Sequence, residues 1–165
     1  MFLHRPIPSL LDCKWSSTNP NHIIVETNEG GSCLIDLNQD DNNPRKSFLT
    51  NNDSHTLSVD WHTNGESFLS AYSDGIVNQW FIDQPNPKYT FRHPTLVTCV
   101  TWNPQDPNCY ASTCHDGNLC IRDIRNGNDG ITIKADDSRL LSCDWNWHGK
   151  SCIAIATSDR NHIKV

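Results

Sequence analysis

The sequence predicts an all-β chain folded as a β-propeller, on three recurrences held in one phase. Trp15, Trp61, Trp102 and Trp145 are separated by 46, 41 and 43 residues. The turn acids Asp74, Asp116 and Asp159 recur at 42 and 43. Apolar strands stand on both sides of each acid. A period of roughly 40–45 residues is that of a four-stranded propeller blade. The 165 residues hold nearly four such periods, with predicted repeats over 9–37, 52–83, 93–125 and 136–165.

Each first strand runs into its tryptophan: Leu10-Leu-Asp-Cys-Lys-Trp15, Leu57-Ser-Val-Asp-Trp61, Val97-Thr-Cys-Val-Thr-Trp102 and Leu140-Leu-Ser-Cys-Asp-Trp145. Apolar and polar residues roughly alternate there, as a half-buried strand requires. A polar turn follows, such as Asn103-Pro104-Gln105-Asp106-Pro107. The second strands are Ser67–Tyr72, Cys109–Cys114 and Cys152–Thr157. They end in Ser73-Asp74-Gly75, His115-Asp116-Gly117 and Ser158-Asp159-Arg160. Asp-Gly between two strands is a strong hairpin signal, because glycine takes a positive φ cheaply. Third strands follow at Ile76–Trp80 and Asn118–Asp123. The first copy is irregular: Ile23-Ile24-Val25, then Glu29 as turn acid (or Gly30 in the other register), then Cys33-Leu34-Ile35-Asp36.

These residues resemble the WD40 family. The resemblance implies a hydrogen-bonded set in each blade: a His before the first strand, a Ser or Thr in the second, an Asp in the turn and a Trp ending the third. Ser70, Asp74 and Trp80 fit in the second copy, with Asn52 at the His position. His93, Ser112 and Asp116 fit in the third, where Arg122 replaces Trp. The fourth copy has Asp136 and Ile155 at the His and Ser positions. No copy is complete, so apolar packing is expected to hold the blades more than this network does.

The phrases Leu57-Ser-Val-Asp-Trp61, Trp102-Asn-Pro-Gln-Asp-Pro-Asn-Cys-Tyr-Ala-Ser112 and Leu141-Ser-Cys-Asp-Trp-Asn146 are similar to those of one WD40 group, the peroxin receptors for the type 2 peroxisomal targeting signal. That resemblance implies a ring of about seven blades, of which about four stand here. It also implies a non-catalytic import receptor. Its ligand would be an N-terminal signal peptide opening with a basic and an aliphatic residue and closing with His or Gln and an aliphatic residue. The signal would bind as an amphipathic helix in a groove. A co-receptor peroxin and the docking complex of the peroxisomal membrane would be the further partners, and the receptor would cycle between cytoplasm and peroxisome. A WD40 scaffold subunit of another complex, such as a ubiquitin ligase or a chromatin complex, is the alternative.

Composition narrows the other classes. No apolar run approaches the ~20 residues that span a bilayer, and the start Met1-Phe-Leu-His-Arg-Pro-Ile-Pro8 does not read as a secretory signal. A cytosolic chain without a membrane span is expected, in which the Asn52-Asp53-Ser54 glycosylation pattern is inert. Of the eight cysteines, six stand in equivalent strand positions. Cys13 and Cys143 alternate with Val59 and Val100, Cys109 pairs with Cys152, and Cys33 pairs with Cys120. Such interchange reads as reduced core thiols, and no Cys-x-x-Cys pair marks a metal site. Neither metal nor cofactor is expected. Cys114-His115-Asp116 spells a catalytic trio, but strand neighbours face opposite sides, so no catalytic residue is assigned. The net charge of −6, without a basic cluster, argues against nucleic acid and suits a basic peptide by charge complementarity. It is equally an ordinary solubility charge.

Function then falls to a surface. Repeat phase places Asn28, Ser73, His115 and Ser158 just before the turn acids. Six and four residues before each Trp stand Ser9 and Leu11, His55 and Leu57, Leu96 and Thr98, Arg139 and Leu141. His55, Leu57, Ser73, Leu96, Thr98, His115, Arg139, Leu141 and Ser158 form the predicted peptide-binding face. Its mixed apolar and polar character is that of a peptide groove.

Overall fold

Four antiparallel sheets, each made from consecutive strands, form the computed structural model. It describes residues 10–28, 30–38, 45–50, 54–127, 129–148, 152–159 and 163–165. Ser9, Glu29 and Asn52 lie outside the described residues. The first blade holds β1 (Leu10–Trp15), β2 (His22–Thr27), β3 (Gly31–Asp36) and β4 (Arg45–Leu49). The second holds β5 (Thr56–Trp61), β6 (Ser67–Tyr72), β7 (Ile76–Phe81) and β8 (Tyr89–Arg92). The third holds β9 (Val97–Trp102), β10 (Cys109–Cys114), β11 (Asn118–Asp123) and β12 (Gly130–Lys134). The fourth holds β13 (Leu140–Trp145), β14 (Ile153–Thr157) and β15 (Ile163–Lys164). The Asp74-Gly75 and Asp116-Gly117 turns close their hairpins with Gly75 at φ 83° and Gly117 at φ 82°, the region glycine occupies without penalty.

The core lies in the seams between blades. Ile24, Leu34 and Phe48 of the first blade pack on Val59, Trp61, Phe68 and Trp80 of the second. Leu69, Ala71, Val77 and Phe91 pack on Val97, Val100, Trp102 and Tyr110 of the third. Ala111 and Leu119 pack on Leu140, Trp145, Ile153 and Ile155 of the fourth. Strand alternation produces this: along β6, Phe68 faces one neighbouring blade and Leu69 the other. A middle strand is thus buried on both faces, and it reads as an apolar run. Each fully buried aromatic or branched side chain contributes roughly 1.5–3 kcal/mol.

The expected polar network does not close. His93 Nδ1 lies 3.8 Å from Cys114 Sγ, and among the described residues Ser112 Oγ is buried without a partner. Asp116 serves its own turn, accepting from Asn118 N at 3.2 Å and Asn118 Nδ2 at 2.8 Å. Asp74 likewise accepts from Ile76 N at 3.1 Å. Ser70 turns instead to Glu26 Oε1 (3.1 Å) and Ser32 Oγ (2.6 Å). Where the third copy lacks its Trp, Arg122 donates from a terminal nitrogen to the Arg92 carbonyl at 3.0 Å. Apolar packing carries the seams, as expected.

One sequence expectation, that of core thiols, needs correction. Cys33, Cys114, Cys120 and Cys143 are buried, but Cys13 and Cys152 are exposed. Trp15 is 59% exposed, whereas Trp61, Trp102 and Trp145 are buried. The cause is position. Trp61 and Trp145 lie against the inner strand of the preceding blade, while among the described residues the inner strand beside β1 is β5 of the following blade. Cys152 stands just ahead of β14.

Candidate functional site

β1, β5, β9 and β13 are the inner strands, and together they wall a concave channel of about 430 Å³. Each carries a bulge at the same place. Leu10 and Asp12 face Thr27 and Glu26, so Leu11 is the extra residue. Leu57, Thr98 and Leu141 are extra in the same way. A bulge re-aims side chains next to a site. Here it sends the residue four before each Trp into the channel, while the residue five before it (Thr56, Val97 or Leu140) is fully buried.

The nine face residues therefore divide into two groups. Leu57, Thr98 and Leu141 line the channel, together with Leu11. The other six pair along one rim. Ser73 N donates to the His55 carbonyl, His115 N to the Leu96 carbonyl and Ser158 N to the Arg139 carbonyl, each at 2.9 Å. Ser73 Oγ also accepts from His55 N at 3.0 Å. The rim pairs are backbone joints that tie each inner strand to its turn. Their exposed side chains are His55, His115 and Arg139.

The channel wall adds residues that repeat phase did not single out. Asp12, Asp60 and Asp144 face Lys14 there, three carboxylates against one ammonium. Two of the carboxylates stitch blades. Asp12 Oδ2 accepts from Val59 N at 3.1 Å, and Asp60 Oδ2 accepts from Trp102 N at 2.8 Å. Burial pushes Asp60 up to about 6, against the hydrogen bond from Trp102. Asp144 is exposed. Beside them Cys99 Sγ lies 3.7 Å from the Cys143 carbonyl and accepts from Ser142 Oγ at 3.8 Å. The Cys143 thiol, together with these groups, brings Cys99 down to about 6. The signal for the acids was their position, one or three before the Trp, but only the bulge register shows that these positions share a face.

At the tryptophan end a second hollow of about 550 Å³ is lined by Trp15, Trp61, Trp102 and Trp147 with Asp60 and Asp144. The Cys114-His115-Asp116 trio is split by its strand geometry: Cys114 is buried against His93, whereas His115 is exposed. No described helix is long and apolar enough to cross a membrane.

Stacked four-stranded sheets with this period define a repeat scaffold, and the family comparison agrees. Residues 43–80 and 85–123 match the WD40 model, described as WD domain, G-beta repeat. The chain is thus similar to WD40 repeats over 77 of its 165 residues, just under half of its length. Protein transport protein sec31 of Aspergillus terreus is 27% identical, over 77% of this chain and 10% of its own length. A WD repeat-containing protein of Dictyostelium discoideum is 24% identical, over 92% of this chain and 8% of its own. Methylosome protein WDR77 of Xenopus laevis is 24% identical, over 56% of this chain and 28% of its own. The chain thus spans about a tenth of the first two relatives and about a quarter of the third. None of these three is named as a peroxisomal receptor.

Proposed function

We propose that the chain is a non-catalytic peptide-capturing module whose ligand is a short basic, amphipathic helix, read on the channel wall. The observation that carries this reading is the wall itself. Leu11, Leu57 and Leu141 alternate there with Asp12, Asp60 and Asp144. A helix with aliphatic and basic anchors on one face meets apolar contacts and opposite charge on such a surface. The type 2 peroxisomal targeting signal has that chemistry. The resemblance of Leu141-Ser-Cys-Asp-Trp-Asn146 to the import receptors supports this ligand, with delivery to the peroxisome together with a co-receptor peroxin. A second reading, a scaffold subunit of another assembly, is favoured by the relatives, whose names point to protein transport and the methylosome.

Fluorescence anisotropy with a labelled type 2 signal peptide tests this, with and without co-receptor. The control peptide has its basic anchors replaced by Asp. Asp144→Asn should weaken binding of the native peptide by roughly 5-fold, the scale of one partly solvated charge pair of about 1 kcal/mol. Equal binding of native and control peptides would remove the basic-helix reading and leave the scaffold reading.

A further inference from the structure

Behind the Asp116-Gly117 turn, three side chains with metal-binding atoms meet inside the third blade. His93 follows β8, Cys114 ends β10 and Cys120 lies in β11. One atom from each lies within 4.8 Å of the other two, and all three residues are buried. The walls are Phe91, Val97 and Tyr110. The His93 backbone N–H is pinned to the Gly75 carbonyl at 2.8 Å.

Core packing accounts for two small thiols but not for the imidazole between them. Its Nδ1 lies 3.8 Å from the Cys114 sulfur, the ring also meets Cys120, and among the described residues its Nε2 is buried with no partner. Buried polar atoms are normally satisfied. Bond lengths of about 2.3 Å to sulfur and 2.0–2.1 Å to nitrogen set ligand atoms roughly 3.5–4 Å apart around one ion. The His93–Cys114 separation already meets this, and closing the rest requires under about an ångström of movement.

We propose that His93, Cys114 and Cys120 form a buried three-coordinate site for a monovalent copper ion. Donor type narrows the choice to copper or zinc, since thiolate selects Cu(I) or Zn and imidazole suits both. Coordination number separates them. Structural zinc takes four ligands, whereas three such residues meet here among the described residues, and the Thr132 hydroxyl, 3.6 Å from Cys120 Sγ, is a weak donor. Charge points the same way. Two thiolates and one Cu(I) leave a single negative charge, and the buried Arg122 guanidinium that acts on Cys114 offsets it. Binding releases the Cys114 and Cys120 thiol protons to solvent and forms two Cu–S bonds and one Cu–N bond, with no change of oxidation state.

The full reduced chain, in a Cys13→Ser/Cys152→Ser background that removes the exposed thiols, is titrated anaerobically against a coloured Cu(I) chelator. One equivalent should transfer, and X-ray absorption should report two sulfur neighbours and one nitrogen. Cys120→Ser should weaken the site at least about 100-fold, beyond the 10- to 100-fold typical of outer-shell changes. His93→Asn should remove the nitrogen while leaving both sulfurs. No uptake in that background, sulfur-only coordination of the parent, or displacement of Cu(I) by equimolar Zn(II) would overturn the assignment. If Cys120→Ser fails to fold, the parent spectrum and His93→Asn decide.

Discussion

Trp61, Trp102 and Trp145 occupy one repeat position with 6%, 4% and 5% exposure, yet their indole nitrogens differ. Trp61 Nε1 donates across a blade seam to the Lys14 carbonyl at 3.0 Å, and Trp145 Nε1 to the Thr101 carbonyl at 3.2 Å. Trp102 Nε1 is buried with no acceptor among the described residues. Replacing each by Phe removes the same fused ring from an equally buried site, so the transfer and cavity losses nearly cancel in the comparison. Phe also keeps an edge contact with Phe68 at Trp61 or with Tyr110 at Trp102. What remains is the N–H. Its hydrogen bond contributes about 1 kcal/mol net, and an unmade one costs about 1–3 kcal/mol. Trp61→Phe loses the bond, whereas Trp102→Phe removes an unmet donor. Trp61→Phe should therefore be less stable than Trp102→Phe by about 2 kcal/mol, or roughly 4–8 °C in Tm for a chain of this size. Trp145→Phe should fall close to Trp61→Phe. Urea and thermal unfolding by far-UV circular dichroism give the comparison. Three variants within about 0.5 kcal/mol of one another, or Trp102→Phe as the least stable, would refute the reasoning.

Three further predictions concern stability, titration and backbone. Burial holds the Glu26 carboxyl well above its ordinary 4.5, so above pH 4.5 the unfolded chain gives up a proton that the folded chain keeps, and stability falls as pH rises. Asp60 adds its own fall only between about 4 and 6. Glu26→Gln should therefore flatten the slope of unfolding free energy above pH 6, and an unchanged slope in urea titrations at pH 6.5 and 8 would exclude Glu26 as its source. Cys99, brought down to about 6 chiefly by the Cys143 thiol, should be alkylated with a rate midpoint near pH 6 by peptide-level mass spectrometry, rising towards the usual ~8.5 in Cys143→Ala. A methyl group at Gly117 would strike the Asp136 and Ser138 carbonyl oxygens, whereas one at Gly127 meets nothing within 4 Å. Both have positive φ, so Gly127→Ala should cost about 1 kcal/mol and Gly117→Ala at least ~3 kcal/mol, read by the same unfolding assay.

Strand positions were legible because alternation, Trp spacing and Asp-Gly turns are local and recur in phase. β6, β10 and β11 occupy the spans that their residues indicated. The rim positions were legible for the same reason, but they were read as a peptide-binding face, and only the structure shows that equivalent residues join by backbone hydrogen bonds in three blades. What could not be read depends on neighbours far along the chain. In His22-Ile-Ile-Val-Glu-Thr27 nothing marks Glu26 as fully buried, yet Ser32 and Ser70 Oγ donate to its carboxylate from another strand and another blade. Cys13 and Cys143 share a repeat position but not an environment, because burial is set by the flanking blade. His93 stood where the pattern wants a partner for Asp116, but its ring faces Cys114 instead.

The recurring bulge explains how near-identical blades produce an uneven surface. It is a backbone feature, so the fold repeats it, while the side chain it presents is free to change: Leu11, Leu57, Thr98 and Leu141. Thr98 shows one use of that freedom, donating to the Leu140 carbonyl of the next blade at 2.9 Å rather than offering an apolar surface. The acids show a second division. Asp12 and Asp60 each face the channel and bind a backbone N–H of the following blade, so replacing them changes the scaffold and the surface together. Asp144 is exposed and no described backbone N–H donates to its carboxylate. Charge removal there reports on ligand capture alone, whereas at Asp60 the lost seam bond of about 1 kcal/mol or more would be indistinguishable from weakened binding. A channel built from stitching residues thus constrains its own chemistry, and specificity has most freedom at the bulge and at acids outside the seams.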